Sequence, residues 1–76
     1  YLALADLYQR QGQPDLAIPN YRENVRYDPD SAQGWYGLAV AYQLTRQSER
    51  RDEALLRLRK LVPATADEFE KKYLTK

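Results

Sequence analysis

Residues 1–8, YLALADLY, return as residues 35–42, WYGLAVAY: Tyr1, Leu4, Ala5 and Tyr8 recur as Trp35, Leu38, Ala39 and Tyr42, each 34 residues on. Four matches in one register, at helical spacings of three and four, describe one apolar stripe copied twice. Downstream, Asp15, Ala17, Ile18, Tyr21 and Val25 pair with Asp52, Ala54, Leu55, Leu58 and Val62, all at a separation of 37. The change from 34 to 37 predicts three extra residues between Tyr42 and Ala54, where Leu44 to Arg50 loses the apolar pattern.

Each copy reads as two helices. Residues 1–11 form the first, and Gly12 is placed to end it. Pro14 suits the first turn of the second, where its missing amide proton has no helical partner to lose. This helix carries Ala17, Ile18, Tyr21 and Val25 inward and runs to about Tyr27. Pro19 lies inside it and removes a backbone hydrogen bond, at ~3 kcal/mol in a regular helix interior, so a kink is expected near Asp15 to Pro19. Asp28-Pro29-Asp30-Ser31 supplies a stop, a turn and a new N-cap. The third helix starts near Ala32. A fourth, from about Arg51 to Val62, sets Ala54, Leu55, Leu58, Leu61 and Val62 on one face, with Pro63 closing it. Thr65 and Glu68 have capping-box spacing for a fifth helix, in which Asp67, Glu68 and Glu70 lie early and Lys71, Lys72 and Lys76 late, as the helix dipole favours. Its stripe of Ala66, Phe69 and Tyr73 can cover the open end of a stack.

The expected architecture is therefore a single all-α domain of five antiparallel helices: repeat one 1–31, repeat two 32–63 and a capping helix 65–75. Small residues Ala5, Ala17, Ala39 and Ala54 let paired helices approach, while Tyr8, Tyr21, Trp35 and Tyr42 fill the wedges between them.

Composition narrows the chemistry. The 76 residues contain no Cys and no His, which excludes disulfides, structural zinc, thiolate nucleophiles and imidazole acid–base catalysis, and leaves the redox compartment undetermined. Asp28 and Asp30 flank a turn proline and read as caps, and no carboxylate pair falls in an expected apolar pocket. The glycines, Gly12, Gly34 and Gly37, make no phosphate loop. A non-catalytic chain without a cofactor is expected. No apolar window reaches the ~18 residues a membrane helix needs, so membrane insertion is not expected. The absence of Met, with Tyr1 leading straight into the pattern, suggests a segment of a longer chain.

Charge is nearly balanced, with 12 Lys+Arg against 11 Asp+Glu, but Arg46, Arg50, Arg51, Arg57, Arg59 and Lys60 make residues 44–62 locally +3. Glu53 and Arg57 are spaced to pair, the basic groups spread around the polar arc, and no aromatic interleaves them. A solvated face is expected, with no specific nucleic-acid binding.

The duplicated pattern resembles the tetratricopeptide (TPR) family over essentially all of residues 1–76. The residues that carry it are Trp35, Leu38, Ala39 and Tyr42 in the second copy, and Leu4, Ala5, Tyr8, Gly12, Ala17, Tyr21 and Pro29 in the first, with Tyr1 in place of the Trp. Departures are Asn24 where a small Ala is usual, the missing turn Gly in the second copy and a terminal Pro absent from its place; these are expected to loosen the last junction.

The resemblance implies an α-α superhelix whose first helices line a concave face and whose second helices form the convex one. Carried over by position, the concave candidates are Leu2, Asp6, Gln9 and Arg10 from the first helix and Gln33, Tyr36, Gly37, Val40, Gln43 and Leu44 from the third. Tyr36, Val40 and Leu44 form a seam expected to be partly exposed, a groove that would hold a protein or peptide partner with Tyr36 as anchor. The competing expectation is that the fifth helix or a further repeat covers the seam. The Lys/Asn/Arg clamp by which one TPR subclass grips chaperone C-terminal carboxylates is lacking, since Leu2, Asp6 and Gly37 occupy the positions concerned. Arg10 can meet an acidic group or simply favour its helix dipole. The implied function is a protein–protein interaction module binding a peptide or partner helix; the alternative is a structural or oligomerisation segment that self-associates.

Overall fold

α1 (Leu2–Arg10), α2 (Pro14–Tyr27), α3 (Ala32–Leu44), α4 (Ser48–Leu61) and α5 (Pro63–Phe69) follow one another in the computed structural model, which describes residues 1–74. α5 continues into a π-helical turn, Glu70–Leu74. Helices adjacent in sequence pack on one another, and no strand occurs among the described residues, so the chain is all-α and built of helical hairpins. The expected end of the fifth helix at residue 75 and the dipole role given to Lys76 lie outside the described residues.

The backbone keeps the 34-residue period beyond the point where the sequence pairs drift to 37. Gln13 N donates to Tyr8 O at 2.9 Å and Gln47 N to Tyr42 O at 2.8 Å, while Asp28 N donates to Asn24 O and Val62 N to Leu58 O, both at 2.8 Å. α2 and α4 each have 14 residues. The expected insertion is therefore absent. α4 begins at Ser48 rather than Arg51, and Pro63 stands one period after Pro29, so the terminal Pro is in place. The drift has a rotational origin. α4 buries Ala54, Leu55 and Leu58, and places Arg51, with its side chain 17% exposed, one period after the fully buried Ala17. A three-residue step falls about 60° short of a full helical turn, so matching apolar residues mistakes a rotated face for a longer loop.

The missing turn glycine is answered in the same way. Gly12 has φ +74° and Arg46, one period later, has φ +60°. An L-residue there costs about 1–2 kcal/mol. Hydrogen bonds from Thr45 Oγ1 to Ala41 O (2.8 Å) and from Gln47 Nε2 to Thr45 Oγ1 (2.9 Å) brace the turn around it.

Pro63 closes α4 as expected, its preceding residue Val62 being non-helical, and also opens α5 at the first-turn position that needs no amide proton. Thr65 and Glu68 thus lie inside the helix, and the expected capping box is not formed. Ser31 does cap α3: its Oγ accepts from Gly34 N at 3.1 Å and donates to Asn24 Oδ1 at 2.8 Å. Asn24 therefore ties α2 to the start of α3. α2 stays one helix through Pro19, whose ring is exposed.

The core runs through the stack. Ala5, Ala17, Ala39, Leu58, Ala66 and Phe69 are 0% exposed, and Tyr21 only 2%. Of the stripe expected on α1, Ala5 is buried and Tyr8 packs partly buried against the core, while Tyr1 and Leu4 are exposed. Trp35 is half-buried at the edge of the core, its Nε1 donating to Pro29 O at 2.6 Å. Ala66, Phe69 and Tyr73 pack against the core as the α5 stripe predicts.

Candidate functional site

A cleft of about 520 Å³ opens between α1, α3 and α5. Six of the expected residues line it: Asp6, Gln9, Gln33, Tyr36, Gly37 and Val40. They come together because positions three, four and seven apart on α1 and α3 share a helix face. Exposure within the group is not as expected. Val40 is buried and forms floor, and Tyr36 is half-buried, its ring edge-on to Phe69 at 6.0 Å and 87°. α5 thus covers most of the seam, leaving Leu44 exposed at the far end and outside the cleft.

The other candidates are elsewhere. Leu2 packs partly buried against the core. Gln43 Oε1 accepts from Arg51 Nη1 at 2.6 Å and belongs to the α3–α4 contact. Arg10 is exposed and lines a shallower hollow of about 470 Å³ with Ala3, Asp6, Gln9 and Tyr21.

Two groups of lining residues were not legible beforehand. Tyr21 reaches through from α2, its hydroxyl donating to Asp6 Oδ1 at 2.5 Å. Burial first, and then the hydrogen bond and negative charge of Asp6, push the Tyr21 phenol well above its ordinary value, so it stays a donor at every physiological pH. The second group is the far wall: Val62, Thr65, Glu68, Lys72 and Tyr73. Glu68 and Lys72 lie four residues apart, the one signal that they share a face.

The cleft combines an aromatic wall with polar groups that are partly occupied. Gln9 Nε2 donates to Gly37 O at 3.1 Å, while Gln9 Oε1 is buried without a hydrogen-bond partner. Asp6 keeps its second carboxylate oxygen for another donor, since Tyr21 takes Oδ1. Such a surface offers the Asp6 carboxylate on the α1 side and both charges, Glu68 and Lys72, on the α5 side.

The basic helix divides by partner. Arg51 pairs with Asp52 at 2.8 Å, and Arg59 with Asp67 at 2.8 Å and Glu70 at 2.7 Å. Hydrogen bonds donated to Asp67 and then to Glu70 raise the Arg59 guanidinium above its ordinary value. Arg57 does not pair with Glu53; its guanidinium lies over the Trp35 ring at 5.7 Å. An aromatic does stand among the basic groups, supplied by α3 rather than by the helix that carries them.

Among the described residues no group of three or more His, Cys, Asp or Glu is placed to hold a metal ion, and no helix is long and apolar enough to cross a membrane. Comparison with known proteins finds no family model, no curated protein and no solved structure that matches the chain.

Proposed function

We propose that the chain is a non-catalytic protein–protein interaction module that holds a peptide or partner helix in the cleft between α1, α3 and α5. The observation that carries this reading is the cleft's lining: the aromatic rings of Tyr36 and Tyr73 beside a half-used Asp6 carboxylate. A peptide supplies both kinds of complement, apolar side chains and backbone N–H donors. The resemblance to the TPR pattern supports the same reading.

Tyr36 touches Phe69, so its truncation disturbs packing as well as binding. Gln33 is exposed on the rim and is the cleaner probe. Peptides selected by display on the chain should bind Gln33→Arg at least about tenfold more weakly than wild type, as when a contact is replaced by an obstructing charge. The melting temperature should stay unchanged. Unaltered isotherms for Gln33→Arg would place the selected peptides outside the cleft.

A second reading, a structural segment that packs against another helix, is favoured by one comparison within the chain. Leu4 and Leu7 are 43% and 42% exposed, whereas Leu38 and Ala41, one period later, are 3% and 0% exposed. α2 packs on α3, and among the described residues the matching face of α1 has no such neighbour. If self-association satisfies it, sedimentation should show a concentration-dependent dimer that Leu4→Glu with Leu7→Glu dissociates. A chain that stays monomeric up to high micromolar concentration removes self-association as the occupant.

A further inference from the structure

On the side away from the cleft, α2 and α4 flank a groove of about 770 Å³ whose floor is α3. Trp35 is its aromatic centre, with Pro19 at one edge. Four guanidinium side chains line it: Arg22 and Arg26 from α2, Arg50 and Arg57 from α4. Two carboxylates stand among them, Glu23 and Glu53, so the rim is net +2. Arg26 already holds Glu23 at 3.2 Å. Arg22, Arg50 and Arg57 have no ion-pair partner among the described residues. Arg57 instead rests on the Trp35 ring.

The arrangement is not what a merely solvated helix face produces. Residues 22 and 50 are far apart in sequence, and the 34-residue stacking of hairpins brings them to opposite walls of one groove. Of the other arginines of α4, Arg59 is neutralised by Asp67 and Glu70, and Arg51 by its neighbour Asp52 while it also donates to Gln43 of α3. Three arginines without an ion-pair partner among the described residues, Arg22, Arg50 and Arg57, thus gather where the aromatic surface is, while Arg10 and Arg46 lie elsewhere.

The geometry points to this groove as a docking site for an acidic segment of a protein partner, one that sets carboxylates on both arginine walls and an apolar side chain against Trp35 and Pro19. Arginine suits this role because its planar fork takes carboxylates in bidentate pairs and stacks on aromatic rings. Nucleic acid fits less well. A net rim charge of +2 neutralises few phosphates, and Glu53 would lie against the backbone. The site is separate from the cleft on the other side, so neither proposal depends on the other.

Trp35 is the only tryptophan, which makes the groove self-reporting. It lines this groove and not the cleft between α1, α3 and α5. The probe is a short peptide alternating Glu with Leu, its control the same peptide with every Glu replaced by Gln, and a single-stranded oligonucleotide is titrated in parallel. The Glu peptide should shift or quench Trp35 emission saturably, with an affinity that falls as salt rises. The Gln peptide should bind at least about tenfold more weakly. Arg22→Glu with Arg50→Glu, both exposed, should abolish the response while leaving the melting curve unchanged. Equal binding of both peptides, no Trp35 response, or tighter binding of the oligonucleotide than of the Glu peptide would each overturn the assignment. Cleft binding is read separately by Gln33→Arg, which should leave the Trp35 response intact.

Discussion

Phe69→Ala is expected to lower the melting temperature by roughly 12 °C or more, the largest loss for any single truncation of an aromatic in this chain. Phe69 is 0% exposed and is the largest fully buried side chain. It meets Tyr36 edge-on and Tyr73 at 4.8 Å, so its removal empties the contact that fastens α5 across the end of the α3–α4 pair. Loss of transfer energy and the cavity left behind come to about 3–5 kcal/mol. A 76-residue domain has roughly 4–11 kcal/mol in all. The truncation should therefore remove roughly a quarter of the stability or more. Tyr36 and Tyr73 would become exposed together, and the cleft would lose its far wall. Thermal melts by circular dichroism check the first point. A drop of only a few degrees would mean that α5 is docked loosely and stands outside the cooperative unit.

Helix boundaries were legible where the signal is local. Gly12, Pro14, Ser31 and the Asp28-Pro29 step act through their own backbone restrictions; α2 begins and ends, and α3 begins, at the expected residues. The start of α4 was not legible because the residue in the left-handed turn position is Arg46, which carries no conformational signature in sequence. Without a glycine to mark the turn, the apolar residues of α4 were the remaining guide. Their face is rotated relative to that of α2, so they pointed to an insertion that the backbone does not contain.

The cleft was half legible for a related reason. Asp6, Gln9, Gln33, Tyr36, Gly37 and Val40 lie on helices whose periodicity orients them, so their common face follows from spacing. Which of them stay open depends on where α5 lands, and that is decided by Phe69 burying itself at the end of the stack. The same limit hid the arginine-lined groove. Sequence shows a run of basic residues on α4, but not that Arg22 and Arg26 of α2 face it across Trp35. Contacts between helices that never touch in sequence are set by stacking, which no local pattern reports.

Gly37→Ala is expected to destabilise the fold by about 2 kcal/mol, although alanine is the better helix former by about 1 kcal/mol. A Cβ at Gly37 would stand 2.3 Å from Tyr21 Cε1 and Cζ and 2.8 Å from Cδ1. A flexible side chain could give way, but this ring is 2% exposed and its hydroxyl is bonded to Asp6. Relief requires α2 to retreat from α3, which loosens the neighbouring close approach at Gly34, where a Cβ would already meet Val25 Cγ1 at 2.7 Å. Overpacking of this kind costs about 1–3 kcal/mol, and weakening the Tyr21–Asp6 hydrogen bond adds about 1 kcal/mol, so the clash outweighs the propensity gain. The melting temperature should fall by roughly 8–16 °C. The cause can be isolated with Tyr21→Leu, which removes the ring: combined with Gly37→Ala it should lose less than the two single changes added together, because the added methyl then finds room. Strict additivity would show that Gly37 is required for some reason other than the Tyr21 ring. A rise in melting temperature for Gly37→Ala alone would show that α2 and α3 do not approach each other as closely as the helix pair requires.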